Sequence, residues 1–283
     1  MKYCIKQFVY LIVYVLRFLI KGGIWGCYPY RRRYSGRMVI LANGPSLKEI
    51  LPEIGVKEEF NDVEFTVMNF FAFDPTFLTI KPRFYCLADP MYIRSDRRHK
   101  EVKKLFNYLQ EKVDWDMNLY IPKWFGEKNF LYYSSLTNPH IHIITVNDTL
   151  YGSFECLRNW LYKKNFAIPF IGTVAQLGIY VAINSGFEEI NLYGVDHNMT
   201  SSLFVNDKNQ LCNRMTHFYE APMVFKHVIN ADDEQLKIAD YLIEIGELFR
   251  SHDLLANYAR SLDVKIVNCT PVSMIDSYDR IKM

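Results

Sequence analysis

The stretch from Arg37 to Glu49 constrains the fold of this chain more than any other. Met38-Val39-Ile40-Leu41-Ala42 runs directly into Asn43-Gly44-Pro45-Ser46 and then into a helical pattern, which reads as strand, tight turn and helix. A short apolar run rich in β-branched residues and stopped by Asn-Gly-Pro fits a strand buried on both faces of a parallel sheet. Gly44 lets the backbone turn sharply, and Pro45 fixes φ for the start of the helix. Ser46 and Glu49 have the spacing of a capping box, which would leave the other first-turn N–H groups facing the space beyond the strand. In an open α/β sheet that crevice is where phosphate-bearing ligands sit. The turn is neither the full dinucleotide fingerprint nor a Walker motif. A well-made turn with nothing bound fits it equally well.

The rest of the chain repeats this alternation. Candidate strands lie at Val63–Met68, Arg83–Ala88, Met117–Ile121, His140–Thr145, Glu189–Tyr193 and Val264–Asn268, with helical patterns at Arg94–Lys112, Thr173–Ser185 and Asp233–Ser251. The expected fold is α/β, a doubly wound and mainly parallel Rossmann-like sheet occupying 37–283. At 283 residues, half of them hydrophobic, the chain has length for one large core. Residues 200–230 carry Asn, Asp, Pro and aromatics and read as a lid over the carboxyl edge of the sheet.

Residues 1–36 read as an amphipathic membrane-associating helix followed by a basic linker. Lys2, Lys6, Tyr10, Tyr14, Arg17 and Lys21 recur at helical spacing and form one cationic and aromatic stripe, with a wide apolar face beside it. Lys6 and Arg17 leave only about half of the roughly 20 apolar residues that a span requires. The helix is therefore expected in the membrane interface, with residues 1–34 contacting the membrane surface and Arg31-Arg32-Arg33 at the headgroups. A signal peptide and a core helix are the competing readings. A net charge of +2 gives no argument for nucleic acid. The cysteines are scattered, with no metal-ligand spacing, and read as buried thiols of a reducing compartment.

Several strands end in polar residues. Asn43, Asn69, Asp89 and Asp196 each follow a strand, and a parallel sheet brings such ends to one edge. Singly each suits a cap or turn; together they suggest a site. Gly172-Thr173 precedes a helix, so Thr173 is placed to cap it and its amino end to hold phosphate or ribose. His217, in Met215-Thr216-His217-Phe218, is a candidate base, with His197 as a second.

Ile40-Leu41-Ala42-Asn43-Gly44-Pro45-Ser46-Leu47-Lys48-Glu49, the Asn69 after a strand, and Gly186 through Gly194-Val195-Asp196 resemble the small bacterial sialyltransferases that decorate lipooligosaccharide. They are also similar to a wider group that includes flagellin nonulosonate transferases and a pterin diphosphokinase-like branch. The resemblance runs from about Arg37 to Asp196. It implies a GT-A-like sialyltransferase architecture in which Asn43, Gly44, Pro45, Ser46 and Asn69 hold the cytidine monophosphate of a CMP-activated sugar donor, with Thr173 also touching the nucleotide. It implies inversion at the anomeric carbon, no metal, no cofactor and a histidine base, for which His217 is the nearest match. This chain has Asn198 and Phe204 where that family has two tyrosines assisting the departing phosphate. It has Asp89 in place of an Asn, and Ile168-Pro169-Phe170 where an Arg is usual.

The leading expectation is thus a glycosyltransferase passing a CMP-activated nonulosonic acid to a surface glycan or lipid-linked acceptor, at the cytoplasmic face of a bacterial inner membrane. Nucleic acid is not an expected partner, and homo-oligomerisation is left open. One alternative is Mg²⁺-dependent diphosphoryl transfer with Asp89 and Asp196 holding the metal. The other is a non-catalytic nucleotide-binding module at the membrane.

Overall fold

The computed structural model describes residues 2–21, 30–94, 98–213, 226–229 and 234–280. The strands are β1 (Arg37–Leu41), β2 (Val63–Met68), β3 (Phe84–Cys86), β4 (Met117–Pro122), β5 (Ile141–Val146), β6 (Glu189–Tyr193), β7 (Phe204–Val205), β8 (Leu211–Asn213), β9 (Lys226–His227), β10 (Lys265–Asn268) and β11 (Asp279–Arg280). The helices are α1 (Lys2–Ile20), α2 (Leu47–Ile50), α3 (Thr76–Ile80), α4 (His99–Lys112), α5 (Glu127–Ser134), α6 (Glu155–Lys163), α7 (Val174–Ser185) and α8 (Ile238–Arg260). Eight strands form one sheet in the order β11-β10-β6-β1-β2-β3-β4-β5, and each neighbouring pair is parallel. The expected α/β class is therefore observed. The chain winds outward from β1 to β5, then returns to the other side of β1 with β6, so the strand order reverses between β1 and β6.

The alternation of side chains along β1 explains the layers. Met38 and Ile40 point into a core shared with α6, α7 and α8, while Val39 and Leu41 point into a second core with α2, α3, α4 and α5. All four are at most 1% exposed, each contributing about 1.5–3 kcal/mol by burial. Such a strand has no polar face to offer, which is why its sequence is a continuous apolar run.

Helix α7 is buried on every side, from Val174 to Ser185, as its all-round apolar sequence requires. At Gly178 a Cβ would stand 3.3 Å from Thr66 Cγ2, so the missing side chain lets the helix lie close to β2. Its few polar groups are paired internally. Tyr180 donates its hydroxyl to the Tyr162 carbonyl at 2.9 Å, and Tyr258 donates to Asn184 Oδ1 at 2.6 Å.

Several expectations change. Helix α8 continues to Arg260, past the expected stop at Ser251, because the polar Ser251 and His252 are both buried. Ser251 donates to the Phe170 carbonyl, and His252 Nδ1 lies 2.9 Å from the Tyr278 hydroxyl. The segment expected to be an irregular lid contains a small antiparallel sheet in the order β7-β8-β9. The last part of the basic linker lies against the domain: Tyr30 N donates to the Lys163 carbonyl at 2.6 Å and Arg31 N to the Asn184 carbonyl at 2.9 Å. The Tyr34 ring stacks on Phe187 at 5.4 Å. Cys86 and Cys212 are buried free thiols, whereas Cys156 is exposed, so the expectation of buried thiols fails there.

The cationic and aromatic stripe of α1 is divided by the fold. Tyr14 and Lys21 turn toward the domain, where Tyr14 donates to the Phe166 carbonyl at 3.2 Å and Lys21 pairs with Asp148 at 2.9 Å. Lys6, Tyr10 and Arg17 are exposed. Among the described residues no helix is long and apolar enough to cross a membrane.

Candidate functional site at the carboxyl edge of the sheet

A cavity of about 530 Å³ opens where β1, β2, β3 and β6 end, at the reversal of strand order. Ligand sites commonly measure about 300–1,000 Å³ and favour such switch points. Asn43, Gly44 and Pro45 line it from the turn after β1, Asn69 from the end of β2 and Asp89 from the end of β3. Asp196 and Asn198 line it from beyond β6, and Thr173 from the amino end of α7. Ser46 alone among the candidate donor-binding residues stands behind the wall. His217 lies outside the described residues.

The first turn is not the open anion site expected from its sequence. Ser46 makes no side-chain cap and its backbone is already helical, at φ −63 and ψ −18. Its hydroxyl instead donates to Asp196 Oδ2 at 2.8 Å, and its N–H to Asp196 Oδ1 at 3.3 Å. Gly44 N donates to the Gly194 carbonyl at 2.8 Å, and Leu47 N to the Gly44 carbonyl at 3.1 Å. The donors of this turn are thus taken, and α2 is a single turn of Leu47–Ile50. The capping box gives way because the Asp196 carboxylate, arriving from beyond the neighbouring strand, takes both the Ser46 hydroxyl and the Ser46 N–H that the box would use.

That arrangement also explains Gly44. A Cβ there would stand 1.8 Å from Asp196 Oδ2 and 2.5 Å from the Gly194 carbonyl oxygen. Gly194 itself sits at φ +68, the left-handed region where glycine carries no steric penalty. Burial pushes the Asp196 carboxyl up, and its hydrogen bonds from Ser46 pull it back down.

The amino end of α7 is the open one. Gln176, wholly buried, accepts from Gly172 N at 2.8 Å and Thr173 N at 3.0 Å, and donates to the Leu248 carbonyl at 2.9 Å. The next two amides, of Val174 and Ala175, have no acceptor within the helix, and both residues line the cavity. Here the helix dipole and free donors favour an anion.

Opposite stands Asn43, only 7% exposed. Its Nδ2 reaches the Met68 carbonyl at 3.5 Å, and its Oδ1 is buried with no partner among the described residues. Asn69, at φ 53, accepts on its carbonyl from the Tyr85 hydroxyl and on Oδ1 from Tyr92 at 3.3 Å. Asp89 Oδ1 accepts from Met91 N at 2.9 Å, capping the turn that follows.

His197 also lines the cavity. Its Nε2 is 3.2 Å from Thr173 Oγ1, and its ring centroid is 5.0 Å from that of His252. Burial lowers its pKa to about 4, so the imidazole is neutral at pH 7. At φ 48 it occupies a region that non-glycine residues visit at a cost of about 1 kcal/mol, a common mark of functional sites. Phe204 belongs to β7 and lies outside the cavity lining.

No protein-family model, curated protein or solved structure significantly matches this chain. What the cavity does is therefore argued from its own geometry. Its walls hold Asn43, whose buried Oδ1 lacks a partner among the described residues, two free amide donors at a helix end, a neutral imidazole and the carboxylates of Asp89 and Asp196. Neither Lys nor Arg is among the described lining residues. Sequence reasoning missed Ala175 and Ser201 in the wall; the small size of Ala175, which lets backbone come close, was the available signal for the first.

Proposed function

We propose that the protein is an inverting, metal-independent glycosyltransferase of GT-A-like sialyltransferase type. It transfers a CMP-activated nonulosonic acid to a surface glycan or lipid-linked acceptor. The observation that carries this reading is a cavity lined both by Asn43, whose Oδ1 is buried and unpaired, and by the amino end of α7. An unpaired acceptor calls for a ligand N–H or O–H, such as the cytosine amino group or a ribose hydroxyl, and the free amides call for an oxyanion. A CMP-sugar carries both.

In the reaction, the acceptor hydroxyl oxygen attacks the anomeric carbon while the bond from that carbon to the phosphate oxygen breaks. The bonding pair leaves with CMP, stabilised by the α7 amides and Asn198. The hydroxyl proton passes to a base. The family resemblance assigns that base to His217, and His197 is a neutral imidazole already in the wall.

Calorimetry with CMP, CDP, UDP and ATP tests the donor. CMP is expected to bind best, and Asn43→Ala to weaken it about tenfold, the loss of one buried hydrogen bond. Turnover of CMP-sialic acid by the wild type, His217→Ala and His197→Asn then assigns the base. Absence of CMP binding overturns the proposal, and binding without turnover leaves a non-catalytic module.

One observation favours a second reading, Mg²⁺-dependent diphosphoryl transfer. With carboxylates and no Lys or Arg among the described lining residues, phosphates would arrive with a divalent cation. The fit is partial. Asp196 is engaged by Ser46 through both oxygens and Asp89 Oδ1 by Met91 N, which leaves Asp89 Oδ2. Among the described residues no group of three or more His, Cys, Asp or Glu is placed to hold a metal by itself. ATP binding that requires Mg²⁺ would favour this reading over the first.

A further inference from the structure

We propose that the outward face of α1 is a docking surface for an anionic lipid bilayer, a reading that stands on different residues from those of the cavity. The helix meets the domain along one seam, Gln7, Leu11, Tyr14, Phe18 and Lys21. Its aromatic members are locked there: the Tyr14 ring centroid is 5.0 Å from that of Tyr151, and Phe18 lies 5.4 Å from Phe166. Because α-helical residues advance about 100° each, the residues between these seam positions project away from the domain.

They are apolar. Ile5, Phe8, Ile12, Leu16, Leu19 and Ile20 are 56–84% exposed. Side chains of this size crowded along one helix face make a patch larger than soluble proteins usually leave in water. Phe8 extends it onto the domain by an edge contact with Phe154, itself 36% exposed, at 5.4 Å.

Charge identifies the occupant. Residues 1–34 contain Lys2, Lys6, Arg17, Lys21, Arg31, Arg32 and Arg33 but no Asp or Glu, whereas the remainder of the chain has more acidic than basic residues. Lys6 and Arg17 fall together on one flank of the apolar arc, at helical angles between the arc and the domain. A second copy of the chain seated on this face would bring the two cationic flanks together without a carboxylate on either helix to pair them. A bilayer bearing anionic lipids satisfies both features, with the apolar arc at the acyl boundary and the cations among the headgroups. The seat of α1 includes Phe166, whose segment continues to Ile171 in the cavity wall. A docked helix thus holds that wall near the membrane surface, where a lipid-linked acceptor is found.

Co-sedimentation of the full chain with vesicles tests this. One preparation is phosphatidylcholine alone and the other phosphatidylcholine mixed with phosphatidylglycerol. Binding is expected to the anionic vesicles and to weaken with salt. Leu16→Asp or Leu19→Asp is expected to reduce it about tenfold or more, and the pair Lys6→Gln with Arg17→Gln by about tenfold at low salt only. Both apolar positions are exposed, and circular dichroism verifies that each variant is folded. The proposal is overturned if the folded wild type binds neither vesicle, or if Leu16→Asp and Leu19→Asp bind as the wild type does. It is equally overturned if sedimentation equilibrium shows a dimer that Leu16→Asp dissociates, for then a second copy covers the face. Vesicle binding is read without donor or turnover, so its outcome is separate from that of the transferase proposal.

Discussion

His197 concentrates more unusual physics than any other residue in the structure. It combines a left-handed backbone, a half-buried ring in the cavity wall and a neighbouring buried imidazole, His252, and desolvation depresses both side chains. Between pH 6.5 and about 4 the unfolded chain therefore binds a proton at this residue that the folded chain refuses, so stability is complete above 6.5 and falls as pH drops through that window. The shift corresponds to about 3 kcal/mol at most. Asp196, with its carboxyl pushed up, works in the opposite direction, gaining a proton more readily when folded. The His197 contribution is thus read as a difference: urea unfolding at pH 7 and at pH 4.5 should show a smaller acid loss in His197→Asn, a substitution that tolerates positive φ. At this scale the sequence was a fair guide to identity and a poor one to role. Asn43 and Asp196 were found because strand ends in a parallel sheet must converge, and Thr173 because it stands as a cap before an apolar helix. That Ser46 would serve Asp196 rather than cap its helix depended on the partner strand, which no local pattern of Ser and Glu encodes.

Among the elements, α7 has the most to lose from a single change. Gln176 ties the preceding turn to the helix and the helix to α8, with both ends of its amide engaged in a site without water access. Gln176→Leu keeps the volume, strands the amides of Gly172 and Thr173 and removes the tie to the Leu248 carbonyl. The expected loss is about 2–4 kcal/mol of stability. A loosened Gly172-Thr173 turn should also weaken nucleotide binding in calorimetry. Unchanged stability would mean that the turn finds other acceptors. The helix was legible in the sequence from Thr173 to Ser185 because its apolar run is bounded by a capping residue and by Gly186 at φ 100. The shorter helices α3, α5 and α6 were not, since each is nine residues or fewer and buries only a few side chains. The end of α8 was misplaced because buried Ser251 and His252 look like a polar stop.

At the scale of the molecule, α1 and the domain are one packed body through a narrow seam. Tyr14→Ala removes a ring that is 5% exposed and packed at a tilt against Tyr151, with an expected loss of about 3 kcal/mol that thermal unfolding would register. A smaller effect would show that α1 is seated by its backbone contacts rather than by this side chain. The α/β class was readable from strand–helix alternation. The docking of α1 was not, because Tyr14 and Lys21 share a stripe with Lys6 and Arg17 and only the tertiary partner separates them. The position of β1 also has a consequence in time. One edge of β1 is satisfied early by β2, but the other waits for β6, residues 189–193, far along the chain. Until that stretch leaves the ribosome, this buried apolar strand keeps an open edge able to pair with any other nascent chain. Folding of the whole sheet is therefore a late event, and chains released before Glu189 should be clients of chaperones or components of aggregates.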